Sequence, residues 1–187
     1  MAKTRIGLIA DTHMPPWDEA IMRDVGAAFA DVDLILHAGD IVTLEVLDWL
    51  ETIAPVAAAI GNNDVHLPPD PRLKSLQQLE CDGVSIGVFH IYEPWDMAPA
   101  ELMKRYFSLD ACPDVLVIGD THFEVLEYRD GVLIVNPGSP TSSHLRVDQP
   151  GTVALLEVEG GRASARIQWL GLPRRGMAST GRFGQGN

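Results

Sequence analysis

The sequence predicts an α/β fold, a four-layer α/β/β/α sandwich with two mixed sheets. In the first part of the chain, short buried apolar runs alternate with amphipathic helical patterns, the signature of strand–helix units around parallel strands. In the second part, alternating apolar runs meet at Asp82-Gly83, Asp130-Gly131 and Gly160-Gly161, which read as hairpin turns. Strand–helix units followed by hairpins need sheets of mixed direction with helices outside. With 46% hydrophobic residues in a chain of 187, one substantial domain can be buried. We place that domain at residues 1–170 and a Gly/Arg-rich tail at 171–187.

Taken in order, residues 6–10 form the first strand, too short and too apolar for an exposed helix. Ile21, Val25, Ala28 and Phe29 recur at helical spacing and predict a helix over 18–30. Residues 33–37 are the second strand. Thr43 is placed to cap a helix whose inner face is Val46, Leu47 and Leu50. A third strand covers 55–60, and the prolines at 68, 69 and 71 leave 65–72 without regular structure. A hairpin runs from Leu76 through Asp82-Gly83 to His90. A helix follows over 98–107, with Leu102, Met103 and Tyr106 on its buried side. Residues 115–119 are a strand, 125–128 and 132–135 a second hairpin closed by Asn136-Pro137-Gly138-Ser139, and 152–158 with 163–169 a third. The tail holds five glycines, three arginines and no acid, and without an apolar period it is expected to stay solvated.

Charge narrows the partners. The net charge of -12 argues against long nucleic acid, whose binders neutralise phosphates with basic groups. A small anionic substrate stays compatible where bound cations reverse the local sign. Cys81 and Cys112 lack metal or redox spacing and read as small apolar fillers in a reducing compartment. Lys3 and Arg5 precede an apolar stretch, but Asp11 ends it too early for a secretory segment. No run approaches the ~20 apolar residues of a membrane span. A soluble, cytoplasmic protein is expected, with no membrane partner and with homo-oligomerisation left open.

The chemistry-bearing residues cluster at predicted strand ends: Asp11, His13, Asp40, Asn62, His90, Asp120 and His122. An extended chain turns residues i and i+2 to one side, so Asp11 and His13 are expected to face one space. Parallel strands bring such ends to one edge, where α/β sheets bind their ligands. Carboxylates, imidazoles and an amide oxygen suit Mn²⁺, Fe or Zn²⁺, and thiolates are absent from the set. Singly, each residue is as well explained by an ordinary structural role.

The order Asp11-Thr12-His13, Gly39-Asp40, Gly61-Asn62-Asn63-Asp64, His90, Gly119-Asp120-Thr121-His122 resembles the calcineurin-like metallophosphoesterases, especially their small bacterial and archaeal phosphodiesterase branch. Asn136-Pro137-Gly138-Ser139 is similar to that branch's turn, and the likeness covers about residues 4–170. The resemblance implies the same sandwich fold, a small phosphoester substrate and two divalent ions. Mn²⁺ is the expected metal, with Fe, Zn²⁺, Ni²⁺ and Mg²⁺ as alternatives. It implies one ion on Asp11, His13 and His122, the other on Asn62, His90 and Asp120, and Asp40 bridging them. It also implies a hydroxide between the ions attacking phosphorus in line, with Asp40, Asn62 and His122 as catalytic residues.

Three departures bear on that expectation. Asp120 stands where the family has His, which adds a negative charge and is expected to move the second site toward Mn²⁺ or Mg²⁺. The other reading has Asp120 facing away and one ion bound. Asn63 stands where larger relatives carry a His that protonates the leaving group, leaving His66 or Tyr92 as substitutes. Ile91-Tyr92 replaces a Gly-His pair, and these bulkier side chains are expected to narrow the cleft. A second function class stays open, a catalytically weak or inactive scaffold such as the family's retromer subunit. Of the other candidates, His37 is expected to hydrogen-bond in the core and His144 to lie at the surface. Trp17 and Trp95 are expected to wall a pocket or simply pack.

Overall fold

The computed structural model describes residues 3–14, 18–141 and 151–171. The expectations for the tail beyond Gly171, for His144 and for Trp17 lie outside the described residues. The chain runs β1 (Thr4–Ile9), α1 (Glu19–Ala28), β2 (Leu34–His37), α2 (Leu44–Glu51), β3 (Val56–Ala59), a 3-10 turn (Asn62–Asp64) and β4 (Leu73–Lys74). It continues through β5 (Gln77–Cys81), β6 (Val84–Val88), α3 (Pro99–Phe107), β7 (Val115–Val117), β8 (Glu124–Arg129), β9 (Val132–Pro137), β10 (Thr152–Glu159) and β11 (Arg162–Trp169).

Both sheets are mixed. The first has the order β11-β10-β1-β2-β3-β4, with β1 through β4 parallel and β10 antiparallel to both its neighbours. The second has the order β5-β6-β7-β9-β8, parallel from β6 through β9 and antiparallel at both edges. Strand alternation sorts the apolar side chains into layers. Ile6, Leu8, Leu36, Val115, Val117, Val135 and Leu156 meet between the sheets. Ile9 and Ile35 turn the other way, onto Val25 and Phe29 of α1 and Leu47 and Leu50 of α2. On the far side, Leu116, Ile118 and Ile134 pack against Leu102 and Met103 of α3. The expected α/β/β/α order is therefore observed. Among the described residues no helix is long and apolar enough to cross a membrane.

The three hairpin turns follow the reading of their residues. Asp82-Gly83, Asp130-Gly131 and Gly160-Gly161 all have positive φ at both positions, the geometry that matches strand twist in a two-residue turn. Two local expectations are corrected, and one element is added. Thr43 occupies the start of α2 but makes no capping bond, and its hydroxyl is buried without a partner. Tyr106 is mostly exposed, while Phe107 packs against the outer core in its place. Finally, β4 was not foreseen; its two residues pair with β3 just beyond the proline-rich loop.

Candidate metal centre

Each expected donor sits just beyond a parallel strand, but the chain is not extended there. β1 stops at Ile9, and Asp11 and His13 have φ of 53° and 45°. Asp40, Asp120 and His122 are left-handed as well, at 58°, 71° and 59°. The convergence of Asp11 with His13 therefore comes from a left-handed turn rather than from strand alternation. Non-glycine residues resist this region, and several together mark a site whose surroundings dictate the backbone.

Those surroundings are identifiable. Asp11 N–H donates to Gly39 O at 2.9 Å and His13 N–H to Asp40 O at 3.2 Å, which carries the β1–β2 pairing past the strands. The buried Asp64 carboxylate accepts from the backbone of Ile41, Val42 and Gly61, each at 2.8 Å, and so ties the Asp40 loop to the Asn62 loop. Asn136 Nδ2 donates to Gly119 O at 2.8 Å, and Ser139 Oγ to Asp11 O at 2.7 Å. The Asn-Pro-Gly-Ser turn thereby holds the Asp120 loop and the Asp11 loop together. The sequence gives no sign of this bracing role, because Asp64 and the 136–139 turn both lie in polar, turn-forming stretches.

The side chains form two overlapping groups. Ligand-type atoms of Asp11, His13 and His122 lie within 4.8 Å of one another, and so do those of Asp11, Asp40 and His90. His13 Nε2 and His122 Nε2 are 3.1 Å apart, a distance at which at most one can carry a proton. Asp40 reaches both groups, with Oδ2 at 3.5 Å from His13 Nε2 and Oδ1 at 3.3 Å from His90 Nε2. His90 Nδ1 lies 2.7 Å from Ala38 O; a carbonyl only accepts, so Nδ1 is the protonated nitrogen and Nε2 faces the cluster. Asn62 Oδ1 is 2.9 Å from that Nε2. Asp120 stands apart: its Oδ1 is 3.8 Å from His90 Nε2, and its carboxylate joins neither three-residue group.

Burial and charge set the protonation. Burial pushes the Asp11 carboxyl up to about 7, with the negative charges of Asp40 and Asp120 adding to the rise and His90 opposing it. Burial acts the same way on Asp40, but hydrogen bonds from His90 and from Asn63 outweigh it and hold that carboxyl well below its usual range. His90 is lowered by burial yet raised overall by Asp40 and the Ala38 carbonyl. His37 is driven down to about 3 by complete burial, with His90 adding to the effect. Its Nδ1 accepts from Gly39 N–H, so Nε2 carries the proton toward Thr12 Oγ1, and Thr12 in turn donates to Asp40 O. The expected core role of His37 is observed.

The residues fit divalent ions on their own chemistry. Asp11 Oδ2 is buried with no hydrogen-bond partner, a costly arrangement for an anion unless a cation faces it. The donors are oxygen and imidazole nitrogen, a set for Mn²⁺, Fe or Zn²⁺. The departures read differently in place. Asn63 donates to Asp40 twice, from its backbone at 2.9 Å and its side chain at 2.6 Å, so it orients the carboxylate rather than awaiting a leaving group. Tyr92 donates to Met97 O at 2.7 Å, and His66 lies 3.1 Å from Val42 O; neither is aimed at the cluster.

A family model described as the calcineurin-like phosphoesterase superfamily domain matches residues 4–161. A probable metallophosphoesterase of Methanothermobacter thermautotrophicus is 36% identical over 170 residues, covering 90% of this chain and 94% of the relative. A phosphodiesterase of Methanocaldococcus jannaschii is 28% identical over 149 residues, covering 72% of this chain and 82% of its own. Vacuolar Protein Sorting 29 from Cryptosporidium parvum superposes with a TM-score of 0.69 at 24% identity, covering 89% of this chain and 97% of that one, a likeness of fold. The chain belongs to the calcineurin-like phosphoesterase superfamily.

Proposed function

We propose that the protein is a metal-dependent phosphoesterase acting on small phosphodiesters, with two divalent ions, Mn²⁺ foremost, held at the strand-end cluster. The observation that carries this reading is the pair of three-residue donor groups sharing Asp11. His13 and His122 complete one group; Asp40 and His90, with Asn62 Oδ1 beside them, complete the other. Bound divalent ions supply a nucleophile from water at neutral pH and neutralise charge on the phosphoryl oxygens. The chain's own part is positioning. Asn63 fixes the rotation of the Asp40 carboxylate, and the Ala38 carbonyl fixes the His90 ring.

One feature favours diesters over monoesters, and a second sets the leaving group. Asp120 places a partly exposed carboxylate beside the cluster, which repels a dianionic monoester more than a monoanionic diester. Asn63 cannot protonate a poor leaving group, so esters with acidic leaving groups are the better substrates. A scaffold role on the same fold is the competing reading, and the intact donor groups weigh against it. Hydrolysis of bis(4-nitrophenyl) phosphate with added Mn²⁺, run beside Asp40→Asn, separates the two. We expect turnover in the wild type and a loss of about a hundredfold or more in the variant. Equal rates in both would overturn the proposal.

A further inference from the structure

Next to Asp120, on one flank of the donor cluster, is a pocket of about 170 Å³. Tyr92, Trp95, Phe123, Ile118, Val125 and Asp120 are among the residues that line it. Trp95 is 41% exposed and Phe123 39%, large apolar surfaces left open to water beside a polar site. The indole is held in place rather than loose. Its ring lies 5.3 Å from that of Tyr92, the Arg129 guanidinium sits over it at 4.4 Å, and Arg129 Nη1 donates to the Trp95 carbonyl. Tyr92 spends its hydroxyl on Met97 O, so it offers the pocket only ring carbon.

We infer that this pocket receives a planar, uncharged ring carried on one ester arm of the substrate, which makes Trp95 and Phe123 specificity-determining residues. The inference rests on the phosphoesterase reading above, since the cluster must hold the phosphoryl group for the arm to reach the pocket. The volume admits one ring system. Aromatic walls reward a flat face by stacking, which a short alkyl arm cannot exploit. The Asp120 carboxylate in the lining turns away an anionic arm. Of the two bulky residues after His90, Tyr92 backs this pocket, while Ile91 lines a separate one.

Binding to the Mn²⁺-loaded full chain tests this without turnover. Phenylphosphonate and methylphosphonate have no ester bond to cleave, and calorimetry compares them directly. The wild type is expected to bind the phenyl compound about tenfold tighter. In Trp95→Ala and in Phe123→Ala the ratio should fall to about twofold or less, while Trp95→Phe should keep most of it, and unchanged melting temperatures would show that the variants are folded. Equal binding of the two phosphonates by the wild type, or a ratio unmoved in both alanine variants, would overturn the assignment. If bis(4-nitrophenyl) phosphate is still hydrolysed, only the pocket assignment falls; if it is not, and neither phosphonate binds, the phosphoesterase reading falls with it.

Discussion

Asp11→Asn is expected to abolish the proposed hydrolysis to at least about a hundredfold below wild type, and yet to raise the melting temperature of the metal-free protein at pH 8. Asp11 belongs to both three-residue donor groups, so one substitution is expected to weaken ion binding at both. Without ions the same carboxyl is a liability, because it is wholly buried and its Oδ2 has no hydrogen-bond partner. An amide keeps the shape and removes the charge. The gain should be visible, since each kcal/mol moves the midpoint by about 2–4 °C in a domain of this size.

The pH dependence gives this prediction its sign. The Asp11 carboxyl titrates from 3.8 when unfolded and about 7 when folded, so between those values the native state holds more protons. Asp11 therefore makes the metal-free protein less stable as pH rises through that window. Ion binding needs the carboxylate, so the stabilisation by Mn²⁺ should grow over the same rise. His37, lowered to about 3, works in the other direction, taking stability away as pH falls below 6.5. Thermal melts of metal-free wild type and Asp11→Asn from pH 5 to 8 isolate the Asp11 part. The difference should widen toward pH 8; a constant difference would contradict the assignment.

Gly61→Ala is expected to be nearly as damaging, for a reason of space rather than backbone freedom. Gly61 has φ of -90°, which any residue accepts. A Cβ there would lie 2.2 Å from both the backbone N and the Oδ1 of Asp40. Neither atom can retreat, because Asp40 Oδ1 accepts from Asn63 N–H and the surrounding backbone is clamped by Asp64. Relief requires the Asp40 and Asn62 loops to part, costing about 1–3 kcal/mol of stability and separating the donors. Gly26→Ala is the control. Nothing lies within 4 Å of its added Cβ in α1, and helix propensity favours the change by about 0.8–1 kcal/mol. Denaturant melts and bis(4-nitrophenyl) phosphate assays on the two variants should diverge; Gly61→Ala behaving like Gly26→Ala would show that the loops are not locked.

Much of this architecture was legible in the residues. Asp-Gly and Gly-Gly supply paired left-handed positions that few other dipeptides tolerate, so the hairpins announced themselves. The unbroken apolar runs 115–118 and 34–36 marked buried strands, but which side chains face which layer was not legible in them. That seven polar residues fall at strand ends was legible, because polar groups interrupt apolar runs there. Their grouping was not. That Asp11 serves both clusters while Asp120 stands aside depends on left-handed φ values at five donors, which are imposed by tertiary hydrogen bonds from Gly39, Asp40 and the 136–139 turn. The roles of Asn63 and Asp64 were hidden likewise, since an amide and a carboxylate look the same in sequence whether they bind a ligand or brace one. Thr43 shows the converse, a residue with capping chemistry in the capping position that makes no cap.

Anomalous diffraction from crystals grown with Mn²⁺ tests the proposed two-ion site most directly. The account predicts two peaks, one beside Asp11, His13 and His122 and the other beside His90 and Asn62, with Asp40 reaching both. A single peak, or none at this cluster, would contradict it.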